Sequence, residues 1–95
     1  MKIANRKIIA DFMNKYAGVR DPVSAWLIEA KEAAWNTPAD IKTRYKSVSF
    51  LKDNYVIFNI KGNSYRLVTK IAYKSGNIKI IWIGRHSEYD KMNFP

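Results

Sequence analysis

The stretch Ser64–Arg85, SYRLVTKIAYKSGNIKIIWIGR, decides how this chain folds. Apolar and polar side chains alternate on both sides of Lys74–Asn77, a short segment rich in turn-forming residues. Alternation with a period of two is typical of β-strands, because successive side chains point to opposite faces of a sheet. We therefore predict two antiparallel strands, Ser64–Tyr73 and Ile78–Arg85, joined by a tight turn.

The same alternation extends upstream of this stretch. It predicts strands over Ser47–Leu51 and Tyr55–Ile60, separated by the turn residues Lys52–Asn54. Lys61–Asn63 supplies the turn into the next strand. Because all the connections are short, we expect neighbouring strands to be antiparallel.

The first third of the chain has helical periodicity instead. Apolar residues recur every three or four positions after Asn5, which predicts a capped helix through Tyr16. Asp21, followed by proline, predicts the start of a second helix that ends at Asn36. Residues 37–46 are predicted to form a loop that could include a helical turn at Ala39–Thr43.

The predicted fold class is therefore α+β. We expect residues 1–95 to form a single domain, with an N-terminal two-helix hairpin packed on a three- to four-stranded antiparallel sheet. A short C-terminal helical turn is predicted at Glu88–Asn93.

Composition narrows the class of function. The chain has 17 Lys and Arg against 8 Asp and Glu, a formal net charge of +9, and eleven of the basic residues lie after residue 36. The electrostatic field of this positive charge attracts polyanions, above all nucleic acid. The sequence has no cysteine, no run of about 20 apolar residues and no cleavable signal, so we expect a cytoplasmic protein without a membrane span.

One face of the predicted third strand is basic. Arg66, Lys70 and Lys74 follow one another at intervals of four residues and share that face. The sequence alone leaves open whether the Trp82 side or the Ile83 side of the last strand lies beside Arg66.

The residues just past the last strand could perform RNA cleavage without a metal. The reaction needs a base for the 2′-hydroxyl, cations for the phosphate and an acid for the leaving oxygen. His86, Glu88 and Tyr89 can serve as base or acid, and Arg66 and Arg85 can bind phosphate oxygens.

Each of these residues also has a purely structural interpretation. His86 could be a partly exposed side chain bonded to backbone, and Tyr89 could be packing. Glu88 and Asp90 could be first-turn acids of a helix capped by Ser87. No metal site or cofactor is expected, because one histidine without cysteine does not make the usual zinc ligand set.

Several short motifs, in order, resemble the HigB toxins of bacterial toxin–antitoxin pairs, a branch of the RelE-like mRNA interferases. They are FNI ending at Ile60, GN at Gly62, YRL at Tyr65, and HSEYDK beginning at His86. The similarity includes Trp35 and extends over nearly the whole chain.

The resemblance implies a RelE-like toxin that cleaves mRNA, in many members in the A site of the translating ribosome. It also implies a cognate HigA-like helix-turn-helix antitoxin as partner. By position, Arg66 resembles the arginine that contacts the scissile phosphate, and His86 and Tyr89 lie where the C-terminal catalytic group lies in the family. Glu88 and Asp90 belong to the HigB motif, without a clear role.

Two departures from the family affect the assignments. Arg85 precedes the histidine where threonine is common, and Val56 and Phe58 occupy the region where some relatives have a lysine pair. The further candidates for phosphate binding are Lys46, Lys61, Lys70 and Lys91.

Two other functions stay open at this point. The basic face could bind RNA or the ribosome and inhibit translation without cleavage, or it could recognise only an acidic protein partner. For cleavage, His86 is the preferred general base ahead of Glu88.

Overall fold

A computed structural model describes all residues, 1–95. Four α-helices are present: α1 (Arg6–Lys15), α2 (Arg20–Glu32), α3 (Pro38–Arg44) and α4 (His86–Tyr89). Five strands are present: β1 (Lys2–Ala4), β2 (Ser49–Phe50), β3 (Tyr55–Ile60), β4 (Tyr65–Ala72) and β5 (Asn77–Arg85). They form one sheet in the order β1-β5-β4-β3-β2, which confirms the predicted α+β class.

The main core lies between the helices and one face of the sheet, here called the helix face. The fully buried side chains of Ile9 and Trp26 come from α1 and α2, and those of Phe58 and Leu67 come from β3 and β4. Burying a large apolar side chain contributes about 1.5–3 kcal/mol. The hydrophobic effect therefore fixes how the helices cover the sheet.

The first two helices are confirmed, but their predicted caps are wrong. Asn5 adopts a left-handed conformation with φ 65° and makes no side-chain cap; its amide donates to the carbonyl of Ile80 instead. The second helix begins at Arg20, so Asp21 lies in its first turn, where a negative charge is favoured. It ends at Glu32, because Ala33 is already extended.

The segment predicted as a loop is mostly helix. Thr37 caps α3 through its hydroxyl, and the carboxylate of Asp40 accepts the Thr37 backbone N–H in return. Pro38 occupies the first helical position, where its missing N–H costs nothing. This reciprocal capping box stabilises a seven-residue helix that periodicity alone did not predict.

The sheet has one more strand than predicted. β1 pairs in parallel with β5, with Ile3 opposite Ile78, so the sheet is mixed rather than purely antiparallel. The nitrogen of Met1 donates to the carbonyls of Ala30 and Ala33, which ties this strand to the end of α2. Three residues with one central apolar side chain are too short to show a period of two.

A bulge settles which side of β5 lies beside Arg66. The register with β5 shifts between Val68 and Thr69, so the alternation of side chains between the two faces is interrupted there. Ile80 and Ile83 therefore both join the core, although strict alternation would place them on opposite faces. Arg66 pairs with Gly84, on the face opposite the helices, here called the outer face.

Candidate functional site

The candidate site lies where the β3–β4 turn meets the end of β5. Tyr65 pairs with Arg85 in the register, and the backbone N–H of His86 donates to the carbonyl of Ser64 at 3.0 Å. An open cleft of about 450 Å³ forms there. It is lined by Asn63, Ser64, Tyr65, Arg85, His86, Ser87 and Asp90.

His86 and Asp90 form a pair one helical turn apart on α4. Nδ1 of the imidazole lies 2.9 Å from a carboxylate oxygen of Asp90, and both side chains are accessible to solvent. A proton on Nδ1 would be donated to this carboxylate, which leaves Nε2 free to accept a proton from a substrate. The pair therefore has the geometry of an oriented base.

Glu88 has a structural role in the start of α4. Its carboxylate accepts the backbone N–H of Arg85 at 3.0 Å and lies 3.4 Å from the guanidinium Nε of the same residue. The backbone hydrogen bond, helped by the Arg85 side chain and by Lys15, holds the pKa of Glu88 below its ordinary value. A carboxylate stabilised in this way is a weaker base, so His86 is the better candidate.

Arg85 occupies the N-cap position of α4, so Ser87 is not the cap of this helix. It is exposed and lines the cleft, and Glu88 is the one acidic residue with which its side chain forms an ion pair. Exposed ion pairs of this kind are weak, because water and salt screen the attraction between the two charges. Its guanidinium can therefore turn toward a bound phosphate at little cost.

Arg66 lies beside the cleft and does not line it. It is on the outer face, and its Nη1 is 3.5 Å from the carbonyl of Asn63, which does line the cleft. Arg66 has no ion-pair partner in the structure, so its charge is not neutralised by a carboxylate. Arg66 and His86 thus border the same turn from different elements.

Tyr89 projects toward the outer face, where it packs with other rings. Its ring is 6.4 Å from Trp82 and 5.8 Å from Phe94. Trp82 lies across Gly84, since a Cβ at that position would be 2.3 Å from the indole ring. Tyr89 therefore packs against the ring that covers Gly84, the register partner of Arg66, and it does not line the cleft of His86.

None of the four candidate lysines lines the cleft. Lys70 places its ammonium 5.4 Å from the ring centre of Tyr55 on the outer face. The ammonium of Lys61 reaches toward Gly18, on the helix face. Lys46 and Lys91 are exposed, at the turn before β2 and just after α4.

Sequence reasoning left the role of Asp90 undefined. The helical turn was predicted at Glu88–Asn93, but α4 begins two residues earlier, at His86. Only that earlier start places His86 and Asp90 four residues apart on the same side of one turn. The sequence did not show that Trp82 would join the outer face, since this depends on the bulge.

No three His, Cys, Asp or Glu side chains come together as a metal-binding group. None of the helices has the length and apolar character needed to cross a membrane.

The fold and cleft define a small basic α+β protein whose polar site is carried by the last strand and helix. A family model described as HigB toxin, the RelE-like toxic component of a toxin–antitoxin system, matches residues 19–92. The chain therefore belongs to the HigB toxin family, which confirms the resemblance seen in the sequence. No curated protein matches it.

Proposed function

We propose that this toxin is an mRNA interferase, an endoribonuclease that cuts mRNA in the A site of the translating ribosome by metal-independent acid–base chemistry. The observation that carries the proposal is the His86–Asp90 pair in an open cleft bordered by cations. Family membership supports a toxin with an antitoxin partner, and we propose a HigA-like helix-turn-helix protein for that partner.

The proposed reaction uses few groups. Nε2 of His86 accepts the proton of the 2′-hydroxyl, whose oxygen forms a new bond to phosphorus. Arg66 and Arg85 stabilise the charge on the phosphate oxygens. The bond from phosphorus to the 5′-oxygen breaks, and Tyr89 is the candidate acid that protonates this oxygen.

Non-cleaving inhibition of translation is the second candidate function. One observation favours it: Arg66 and Tyr89 lie on the outer face rather than inside the cleft with His86. A basic outer face can bind RNA without any group placed for chemistry. The site of action in either case is the bacterial cytoplasm, where translation occurs.

A primer-extension map of an mRNA in a translating bacterial extract separates these functions. We expect new 5′ ends with the wild-type protein, and at least a 100-fold loss for His86→Ala and for Arg66→Ala. Arg20→Ala is the matched control, because this exposed arginine begins α2, away from the cleft. Equal cutting by all variants would refute the site, and arrested translation without cuts would establish inhibition by binding.

A further inference from the structure

Four aromatic rings cover part of the outer face. Trp82 and Tyr89 contact each other, and Phe94 contacts both of them and also Tyr55, with ring centres 5.8–6.3 Å from it. The ring of Phe94 is nearly parallel to that of Tyr89, at an angle of 12°. This is the stacked arrangement that a planar base adopts on an aromatic side chain.

The segment that carries Phe94 is held almost entirely by this ring. The backbone N–H of Met92 donates to the carbonyl of Tyr89, and no hydrogen bond involves residues 93–95. Phe94 itself is only half-buried. A segment with few buried contacts and no backbone hydrogen bonds opens at low free-energy cost.

Two basic side chains without ion-pair partners lie on the same face. Arg66 and Lys70 come from β4, on the side of the sheet to which Trp82 belongs, and neither forms an ion pair. Cations next to exposed aromatic faces are the common features of surfaces that bind single-stranded nucleic acid. The outer face thus has both requirements, but Phe94 covers the rings.

We propose that Phe94 is a built-in competitor of RNA: its ring occupies a base-stacking position on Tyr89 and Trp82 in the free toxin, and single-stranded RNA must displace it. This inference rests on the proposed RNA-directed function. The covered state lowers the apparent affinity, because only the fraction of molecules with the ring displaced is competent to bind. Removing the ring removes that penalty.

Binding is measured with a fluorescent 2′-O-methyl RNA oligonucleotide, which lacks the attacking hydroxyl and is not cut. We expect Phe94→Ala to tighten binding roughly two- to tenfold, the range that one stacked aromatic pair supplies. Phe50→Ala is the matched control, because Phe50 is an exposed phenylalanine on the edge strand β2, outside the cluster. Unchanged or weaker binding by Phe94→Ala would overturn the proposal.

A second measurement observes the wild-type sequence and uses a conservative variant only to assign one resonance. The toxin is produced with 4-fluorophenylalanine, and the ¹⁹F resonance of Phe94 is identified by its absence in Phe94→Leu. We expect the oligonucleotide to move this resonance toward the position of a solvent-exposed ring. If RNA binds and the resonance does not move, Phe94 is only packing; if RNA does not bind at all, the proposed function fails as well.

Discussion

At the scale of single residues, the proposed chemistry depends on how Asp90 holds His86. The carboxylate lies beside Nδ1, so in the proposed reaction Asp90 acts on the substrate only through the imidazole, as a positioning residue. Glu88, its neighbour on α4, is bound to the backbone of Arg85. Two acids two residues apart therefore have different roles, which the sequence motif could not distinguish.

Asp90→Asn tests this positioning role. An amide can donate to Nδ1 and favour the other tautomer, which removes the free acceptor at Nε2. We expect kcat for RNA cleavage to fall at least tenfold, with little change in KM and an altered pH profile. The control is Asp53→Asn, since Asp53 has a left-handed backbone that asparagine also tolerates. An unchanged kcat and pH profile in Asp90→Asn would contradict the assignment.

Position 84 requires glycine because the indole ring of Trp82 lies close to its backbone, and not because of its φ angle. Its missing Cβ leaves room for the ring of Trp82, and a methyl group there would overlap the indole. We expect Gly84→Ala to lower the free energy of unfolding by about 1–3 kcal/mol, measured by urea denaturation. Adding Trp82→Leu should recover most of that loss, and a double variant as unstable as the single one would contradict this account.

At the scale of elements, strands were easier to predict than helix ends. β3 was predicted with the bounds that the structure shows, β4 is one residue shorter at each end than predicted, and β5 begins one residue earlier. The strand predicted over Ser47–Leu51 is reduced to the two residues of β2. Their length and alternation made the pattern clear. β1 was missed because three residues carry no measurable period, and the bulge was missed because alternation cannot show where it breaks.

The candidate site was predictable only in part. The motif from His86 to Lys91 contains all of α4 and three of the seven residues that line the cleft, because these are local in sequence. Whether Arg66 and His86 meet depends on the register of β4 with β5 and on the bulge. These are tertiary properties, so the sequence could not place Arg66 opposite Gly84 or Tyr89 among the outer rings.

The capping box explains why α3 forms at all. Helices this short are unstable alone, so the hydroxyl of Thr37 should matter more than its exposure suggests. We expect Thr37→Ala to reduce the free energy of unfolding by about 1 kcal/mol. Thr43→Ala, in the same helix, should change it by less than about 0.5 kcal/mol, because that hydroxyl only duplicates a bond to the carbonyl of Ala39. Equal effects would contradict the capping argument.

At the scale of the whole molecule, two half-buried tyrosines, Tyr45 and Tyr73, make the stability of the fold depend on pH. Burial, and then the nearby Glu29 carboxylate, raise the pKa of Tyr45 to about 12. Burial also raises the pKa of Tyr73. Each hydroxyl therefore loses its proton more easily in the unfolded chain than in the folded one.

This difference predicts a loss of stability in alkali. A raised folded-state pKa contributes fully below the unfolded value near 10, and the contribution disappears as the pH rises toward 12. Because Tyr45 is only partly buried, we expect a loss on the order of 1–2 kcal/mol, measured by urea denaturation between pH 9 and 12. Tyr45→Phe should remove most of this slope and Tyr73→Phe less. A slope unchanged in both variants would contradict the assignment.

The most direct test of the central claim is the chemistry of the cut RNA ends. Purified toxin is added to ribosomes programmed with a defined mRNA, with and without a strong transition-metal chelator, and the fragments are analysed by mass spectrometry. The account predicts a 5′-hydroxyl on one fragment, a cyclic 2′,3′-phosphate or its hydrolysis product on the other, and no effect of the chelator. A 5′-phosphate end, or cleavage abolished by the chelator, would contradict it.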